Sequence, residues 1–599
     1  MEWLICLILA AVLFVGAAVL AYIKAKTRYK RGQLLDPLKI LFLGVILAAV
    51  VLFIPVYINT FKTTHCGVVE TFLLSVHNVI RLFVVDGEFK FITDNLVGVS
   101  DQVYTGYTLL FAVLFVTAPV LTFGFVMSFF KNASAYWRYI SHYKTDAFIF
   151  SELNEKALAA VESLQSKNRL FIFTDVSEDD SEQVHELAEQ AKELGAICFK
   201  KDIVALDFSF HSKNSSIHFF TISEDPSRNV EQALQLLESF KYRDRTNLYV
   251  FSAQPESEML LANAFDSEKN PNRPIKIKVR RVNEVRSLIF RTLYEDGYQN
   301  IFESALDDGT GEKKINAVVI GMGQHGTEMT KALAWVCQMD GYAVQIDSFD
   351  VAKNAEEKFK FACPELMAFS GKLDIPGESR YTIHIHPDTD VDTQAFEKIL
   401  ADLPETTYVF VALGNDERNI AVAINLRTRF ERMGRKPVIQ AVVYNTNKKE
   451  ALAGITNYRG QSYKIDFIGD RKSTYSEKVL LNSDVEAVAL SRHMQWGSEA
   501  DFWKYDYNYK SSVASAIHRE LKRQCGIPGI DKKPADRTEE ELWNIRILEH
   551  RRWNAYMRAE GYVYSGDLDS SSRNDLAKKH HCLVAFDRLS EKDKAKDDD

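Results

Sequence analysis

The chain has 599 residues, 46% hydrophobic and 26% charged, and its 73 Lys and Arg against 81 Asp and Glu leave a net charge of -8. A length of that order exceeds what one hydrophobic core organises, so several domains are required. The negative balance provides no basic field for a nucleic-acid backbone, and the cysteines (Cys6, Cys66, Cys198, Cys337, Cys363, Cys525 and Cys582) have neither CxxC pairing nor zinc-finger spacing. They read as reduced, packed thiols, and no nucleic-acid partner is expected.

The apolar residues crowd into the first 135 positions. Residues 3–23, 40–61 and 103–130 contain no charged side chain, and each reaches the length of roughly 20 residues that crosses a hydrocarbon layer. The start, Met1-Glu2, lacks the cationic region of a cleaved signal peptide, so the first segment is read as a retained span. Lys24, Lys26, Arg28, Lys30 and Arg31 follow it and place that connection in the cytoplasm by positive-inside bias. The N-terminus is then outside, and everything after Phe130 is cytoplasmic, in agreement with Lys131, Arg138 and Lys144. The expected location is a cell (inner) membrane.

Between the second and third spans, FLLSVHNVIRLF sets Phe72, Val76, Val79, Ile80 and Phe83 on one helical face and His77, Asn78 and Arg81 on another. That pattern fits a helix at the membrane interface or one that re-enters. The following VGVSD (residues 97–101) echoes a potassium filter but has Ser100 in place of a glycine and lacks the preceding threonines, so it reads as a turn. The spans contain no Asp, Glu, Lys or Arg to mark an ion relay, which disfavours a coupled transporter.

From Lys313 a β-type run, KKINAVVI, leads into Gly321, Gly323 and Gly326 in GxGxxG spacing and then a helical pattern. In such a turn the first glycine permits the bend, the second lets a pyrophosphate approach and the third lets helix pack on strand. The next strand ends near Asp347, where a carboxylate would accept a ribose diol, with Asp350 as the alternative if the strand runs longer. A later strand, TTYVFVALGN, delivers Gly414, Asn415, Asp416 and Asn419 to the mouth of the next helix, where ligands bind in open parallel sheets. His384 and His386 share a strand face without a third ligand, so solvated histidines and no metal are expected.

Residues 144–308 repeat this order of strands and helices, with Asp175, Asp225 and Asn229 at corresponding strand ends. The glycines are replaced by Ser151, Leu153 and Lys156, whose side chains would obstruct a phosphate turn, so the first copy is expected to be degenerate for dinucleotide binding or to bind something else. The predicted fold class is multidomain: a three-span helical membrane region (1–135), a degenerate α/β Rossmann-like unit (144–308), a second with the intact turn (313–495), a connection (496–534) and a small, mostly helical C-terminal domain (535–599).

The VVIGMGQHG turn, Asp347 and ALGNDERN together resemble tandem TrkA-N, or RCK, domains, the regulatory Rossmann units of potassium channels and transporters. The resemblance implies cytoplasmic regulation by NAD(H), another adenine nucleotide or an ion, in dimers or rings. The segment LEHRRWNAYMRAEGY with KKHHCLVAFDRLSEKDKAKD resembles the RyR domain, although the family's HPxLVPY is here HCLVAF. That second resemblance implies nucleotide signalling or antiviral defence, with Trp553 and Tyr562 stacking on a base and Arg551, Arg552 or Lys579 facing phosphates. The adjacent His580, His581 and Cys582 lack a fourth ligand for zinc at the level of sequence.

The function expected from this combination is a ligand-gated, channel-like membrane effector, a homo-oligomer that senses a nucleotide-type ligand and is not an enzyme. A non-conducting membrane-tethered sensor and an NAD-dependent oxidoreductase are the alternatives.

Overall fold

A computed structural model describes residues 2–27, 35–64, 67–84, 86, 89–96, 98–166, 168–177, 181–266, 275–307, 309, 311–481, 483–566 and 573–598. The chain divides into two compact units, Met1–Leu153 with Asn168–Phe219 and Asn154–Lys167 with Phe220–Asp599.

The N-terminal region consists of α1 (Glu2–Thr27), α2 (Leu35–Thr64), α3 (Val68–Phe83), α4 (Phe89–Asn95) and α5 (Asp101–Ser141). Three of these hold segments long and apolar enough to cross a membrane: Glu2–Tyr22, Ile40–Asn59 and Asp101–Phe123. Helices α1 and α2 touch through small residues, since a Cβ on Gly44 would fall 2.1 Å from that of Ala17. Val45, Ala48, Ala49 and Leu52 form the shared core, whereas Val12, Leu20, Leu109 and Val116 point outward, an apolar exterior that fits a membrane-facing region. Arg28, Lys30, Arg31, Cys66 and Val97, which carried parts of the topology, thiol and turn readings, lie outside the described residues; the other six cysteines are free.

Helix α3 packs on α2 through one side and leaves apolar residues on another. Its buried side is Ser75, Val79 and Leu82, with the Ser75 hydroxyl donating to the Val50 carbonyl at 3.3 Å, while Phe72 and Ile80 are exposed. Both sides of α3 are apolar, so the hydrophobic face alone did not determine which side packs on α2. Helix α5 runs for 41 residues, well beyond the length of a span. Its last turns pack on the first α/β repeat: Arg138 donates to the Gly195 carbonyl at 3.0 Å and Tyr139 stacks on His211.

The first sheet has β1 (Asp146–Phe150), β2 (Arg169–Phe173), β3 (Ile197–Cys198), β4 (Ile217–Thr221), β5 (Thr246–Phe251) and β6 (Lys278–Val282) in the order β3-β2-β1-β4-β5-β6. Helices α6 (Glu155–Leu164), α7 (Glu182–Glu193), α8 (Pro226–Phe240), α9 (Pro255–Asp266) and α10 (Glu284–Gly297) alternate with them. After a short β7 (Leu306–Asp307), the second sheet runs through β8 (Lys313–Ile320), β9 (Tyr342–Phe349), β10 (Thr382–His386), β11 (Tyr408–Val411), β12 (Val438–Val442) and β13 (Ile465–Ile468), in the order β10-β9-β8-β11-β12-β13. Its helices are α11 (Gln324–Val336), α12 (Ala355–Ala362), α13 (Pro364–Phe369), α14 (Gln394–Asp402), α15 (Asp416–Arg432) and α16 (Thr446–Leu452). Both orders are that of the Rossmann fold, so the repeat seen in the sequence is a structural duplication.

The same pin recurs in each copy. Asn229 accepts from the Ser223 N–H and donates to the Phe251 carbonyl; Asn419 accepts from Leu413 and donates to Val442. In both cases a buried asparagine at a helix start ties together the ends of two adjacent strands.

The remainder is α17 (Arg471–Thr474), α18 (Glu477–Leu480), α19 (Asp484–His493), α20 (Glu499–Lys504), α21 (Asp506–Gln524), α22 (Glu539–Ala559), β14 (Val563–Tyr564), β15 (Lys579–His580) and α23 (Glu591–Lys594). Residues 496–534, expected as a connection, instead supply α20 and α21. Val513, Ala516, Ile517 and Leu521 of α21 join the core formed by α10, α11 and α22. The polar, aromatic character of DFWKYDYNYK marks an amphipathic helix rather than a tether. The C-terminal module is likewise fused to the second repeat. Tyr556 of α22 packs edge-on against Trp335 of α11, and Arg558 grips Glu378 with two bonds of 2.8 and 3.1 Å while lying 3.6 Å over the Phe369 ring.

Two expectations follow. Burial alone would raise the Glu378 carboxyl, but Arg558 holds it below the usual carboxylate range, so Arg558→Met should cost about 3 kcal/mol or more by leaving that charge buried and unpaired. A thermal midpoint of the detergent-solubilised chain equal to wild type would contradict this. Second, burial pushes His518 down to about 4, its Nε2 bonded to the Gln338 carbonyl at 2.9 Å. A depressed histidine stabilises the fold above its unfolded value of about 6.5. That contribution falls as pH drops from there toward about 4, so urea midpoints should decline over this window in wild type and less in His518→Gln.

Candidate functional site

The turn between β8 and α11 is built by its glycines, each for a different reason. Gly321 has φ +91°, and a Cβ there would lie 2.5 Å from the Ala412 carbonyl oxygen. At Gly326 a Cβ would fall 1.6 Å from the Gly321 carbonyl oxygen, so the helix can meet the strand only without one. Gly323, the residue before the first turn of α11, differs: a Cβ on it meets nothing within 4 Å, and its φ of -66° suits any residue. The protein's own packing therefore requires Gly321 and Gly326 but not Gly323, which faces an open cleft.

That cleft has a volume of about 490 Å³, within the usual range for small-molecule sites, and is lined by Met322, Gly323, Gln324, Asp350 and Lys358 of the second repeat. Its opposite wall comes from the first repeat, through Ala253 after β5 and Asn283 and Val285 after β6. Helix α11 points its N-terminal dipole into this space.

The structure sets the two acidic candidates in different surroundings. Asp347 lies inside β9, buried, with its carboxylate accepting from Gln345 Nε2 at 2.8 Å and bonded to His386 Nε2 at 2.9 Å; His384 Nδ1 stands 3.3 Å away. The strand runs two residues further than Asp347, so Asp350 occupies the mouth. One Asp350 oxygen accepts from the Met322 N–H at 2.6 Å and the other from the Ala352 N–H at 2.7 Å, and each keeps a lone pair for a further donor. The two strand histidines are accordingly engaged with Asp347 rather than merely solvated.

The other strand-end group is mostly structural. Gly414 has φ +80°, Asn415 caps α15 by accepting from Arg418, and Asp416 accepts from the Tyr444 and Asn445 N–H groups, both at 2.9 Å. Asn419 is the buried pin described above. None of these four residues lines the glycine-turn cleft, so the structure does not bring them to it. His325, in the first turn of α11, is held neutral by burial, which pulls it down to about 4.

In the first copy the equivalent turn is closed by protein. Asn154 caps α6 by accepting from the Ala157 N–H, and its amide donates across the turn to the Ile222 carbonyl at 2.8 Å. Lys156 is paired with Glu284 at 3.5 Å. A side-chain amide thus spans this turn, whereas no such bond crosses the glycine turn of the second copy among the described residues.

A second cleft, of about 650 Å³, lies between α19, α21 and the C-terminal module. Of the residues expected there, Arg552 and Trp553 line it. Arg551 instead faces Asp340 at 3.5 Å, Tyr562 donates to Asp575 at 3.0 Å, and Lys579 is exposed outside the lining. Arg492, Trp496, Tyr507 and Arg573 line it unanticipated, with the Arg573 guanidinium 3.9 Å over the Tyr507 ring. Tyr507 belongs to the segment first read as a connection, so its aromatic run was the available signal; Arg573 had none.

Comparisons with known proteins establish little more. No protein-family model and no curated protein matches this chain. Among solved structures, the crystal structure of the GsuK RCK domain aligns over 58% of this chain and 78% of that one, with 11% sequence identity and a TM-score of 0.33. The Rossmann assignment therefore stands on the two strand orders and the glycine turn.

The glycines give a graded expectation. Gly321→Ala and Gly326→Ala should lower the thermal midpoint, because backbone lies where the methyl must go, whereas Gly323→Ala should leave it within about 1 °C, consistent with the small effects of unconstrained surface substitutions. Equal losses at all three positions would show that the turn is purely a packing device.

Proposed function

We propose that this chain is a ligand-regulated membrane protein, channel-like or an effector, whose cytoplasmic Rossmann pair senses a nucleotide-type ligand, NAD(H) or another adenine nucleotide. The observation that carries this reading is Gly323: nothing in the protein's packing calls for a glycine there, and a pyrophosphate approaching the α11 N-terminus does. Asp350 would then take the ribose hydroxyls with its remaining lone pairs.

The cleft's two walls supply a means of regulation. A ligand held between Gly323 and Asn283 touches both repeats at once, and so binds with an affinity that depends on how they are set. Differential affinity of this kind is what moves an equilibrium; about 5.5 kcal/mol of it shifts a population from 1:99 to 99:1. Output to the membrane would pass through α5, whose continuous helix joins the third span to the first repeat. Three spans per chain enclose no pore, so conduction requires a homo-oligomer. The orientation consistent with cytoplasmic repeats places the N-terminus outside a cell (inner) membrane.

The C-terminal module, with its resemblance to RyR domains, fits a second nucleotide-sensing surface. Trp553, Trp496 and Tyr507 offer ring faces and Arg492 and Arg573 offer cations for phosphates, which fits a role in nucleotide signalling such as antiviral defence. No catalytic role is assigned to any of these residues.

The test is calorimetry and ion flux with the full chain. Wild type should bind NAD(H) or ADP-ribose, Gly323→Asp should lose at least tenfold in affinity through charge repulsion, and ligand should alter flux in proteoliposomes. Absence of adenine-nucleotide binding sinks the site, binding without flux leaves a tethered sensor, and cofactor turnover would favour an oxidoreductase.

A further inference from the structure

The mouth of the second sheet is open over one half and satisfied from within over the other. A doubly wound sheet of this strand order has two halves, each able to hold one nucleotide, and a dinucleotide spans both across the point where the order reverses. Here the halves are β10-β9-β8 and β11-β12-β13. In the first half Gly323 faces the cleft, and the Asp350 oxygens retain lone pairs beyond those given to the Met322 and Ala352 N–H groups. From there the cleft continues along α12 past Ala355, Phe359 and Ala362, with Val285 of the first repeat on its other wall. An apolar recess beside a carboxylate with acceptor capacity to spare suits a base and its ribose.

In the second half the protein spends the same kinds of groups on itself. The Leu413 N–H, just past β11, donates to Asn419, and the Val442 carbonyl at the end of β12 accepts from Asn419. Both Asp416 oxygens accept from the loop after β12, through the Tyr444 and Asn445 N–H groups at 2.9 Å, which ties that loop to the start of α15. The Tyr444 carbonyl accepts from the Arg471 N–H at 2.9 Å, and its ring meets His325, in the first turn of α11, edge-on with centroids 5.9 Å apart. Among the described residues, none from β11, β12 or the loops that follow them lines the glycine-turn cleft.

From this asymmetry we infer that the cleft takes a single nucleoside phosphate, of the class of AMP or ADP, and has no place for the second nucleoside of a dinucleotide. The inference rests on reading the cleft as an adenine-nucleotide site and narrows its ligand. The phosphate lies at Gly323, the ribose hydroxyls donate to Asp350, and the base enters the recess along α12. The second nucleoside of NADH would have to displace the Tyr444 loop and break both Asp416 bonds.

Calorimetry on the full chain in detergent tests this with three probes: ADP, NADH, and the β-methyl ester of ADP, which matches the pyrophosphate charge of NADH but lacks its second nucleoside. The ester should bind about tenfold or more tightly than NADH, since the bonds NADH must break involve a charged group. An ester no tighter than NADH overturns the inference and leaves the cleft a nucleotide site. Binding of none of the three overturns the site reading and this inference together.

Discussion

Arg286 is the point on which the α/β assembly turns. It sits in the first turn of α10, in the first repeat, and its guanidinium donates to Glu328 on α11 and to Glu560 at the end of α22, each at 2.7 Å. One largely enclosed cation thus joins the first repeat, the helix that opens the glycine turn and the C-terminal module. Burial opposes the charge, and the two carboxylates more than compensate, holding the guanidinium well above its usual value. A pair of this kind contributes little net stability compared with an apolar contact, but breaking it strands a buried charge. Its effect is geometric: the three parts keep one mutual register or lose the network together. Glu328 also lines the glycine-turn cleft, so the same network that fixes the register borders the proposed ligand.

Much of the fold was legible in the sequence because it is governed by signals that are local and redundant. Uncharged runs identified the spans, alternating β-type runs and helical patterns identified both repeats, and GxGxxG located the turn. Boundaries were less legible where the chain is amphipathic. Residues 496–534 looked like a connection because Tyr and Trp are sparsely buried in short windows, and only their partners on α19 and α22 turn DYNYK into the start of a core helix. The packing side of α3 was likewise not readable: its residues are apolar on both sides, and the side that meets α2 is the one carrying Ser75 and Val79.

The candidate site was legible in its backbone and less so in its side chains. Glycine positions follow from steric rules that act over a few residues, so Gly321 and Gly326 are placed by the chain itself. The acidic residue depends on how far β9 extends, and a two-residue difference exchanges Asp347 for Asp350. Asp347 is drawn into the sheet by His386 on the neighbouring strand, a partnership 39 positions distant. Arg551 and Arg552 show the same limit at finer grain: adjacent on one helix, they face opposite environments, Asp340 for one and Glu549 for the other.

Duplication explains how the cleft acquired two different walls. Two Rossmann units of one strand order offer two glycine-turn positions, and a single chain has no need to keep both open. In the first repeat Asn154 bridges the turn to the Ile222 carbonyl, performing with an amide what a ligand's polar groups would otherwise do. The second repeat keeps its turn free and receives the loops after β5 and β6 of the first as the opposite side of its cleft. The pair is therefore asymmetric at its turns: the first is bridged by its own Asn154 amide, whereas the second leaves Gly323 facing the cleft.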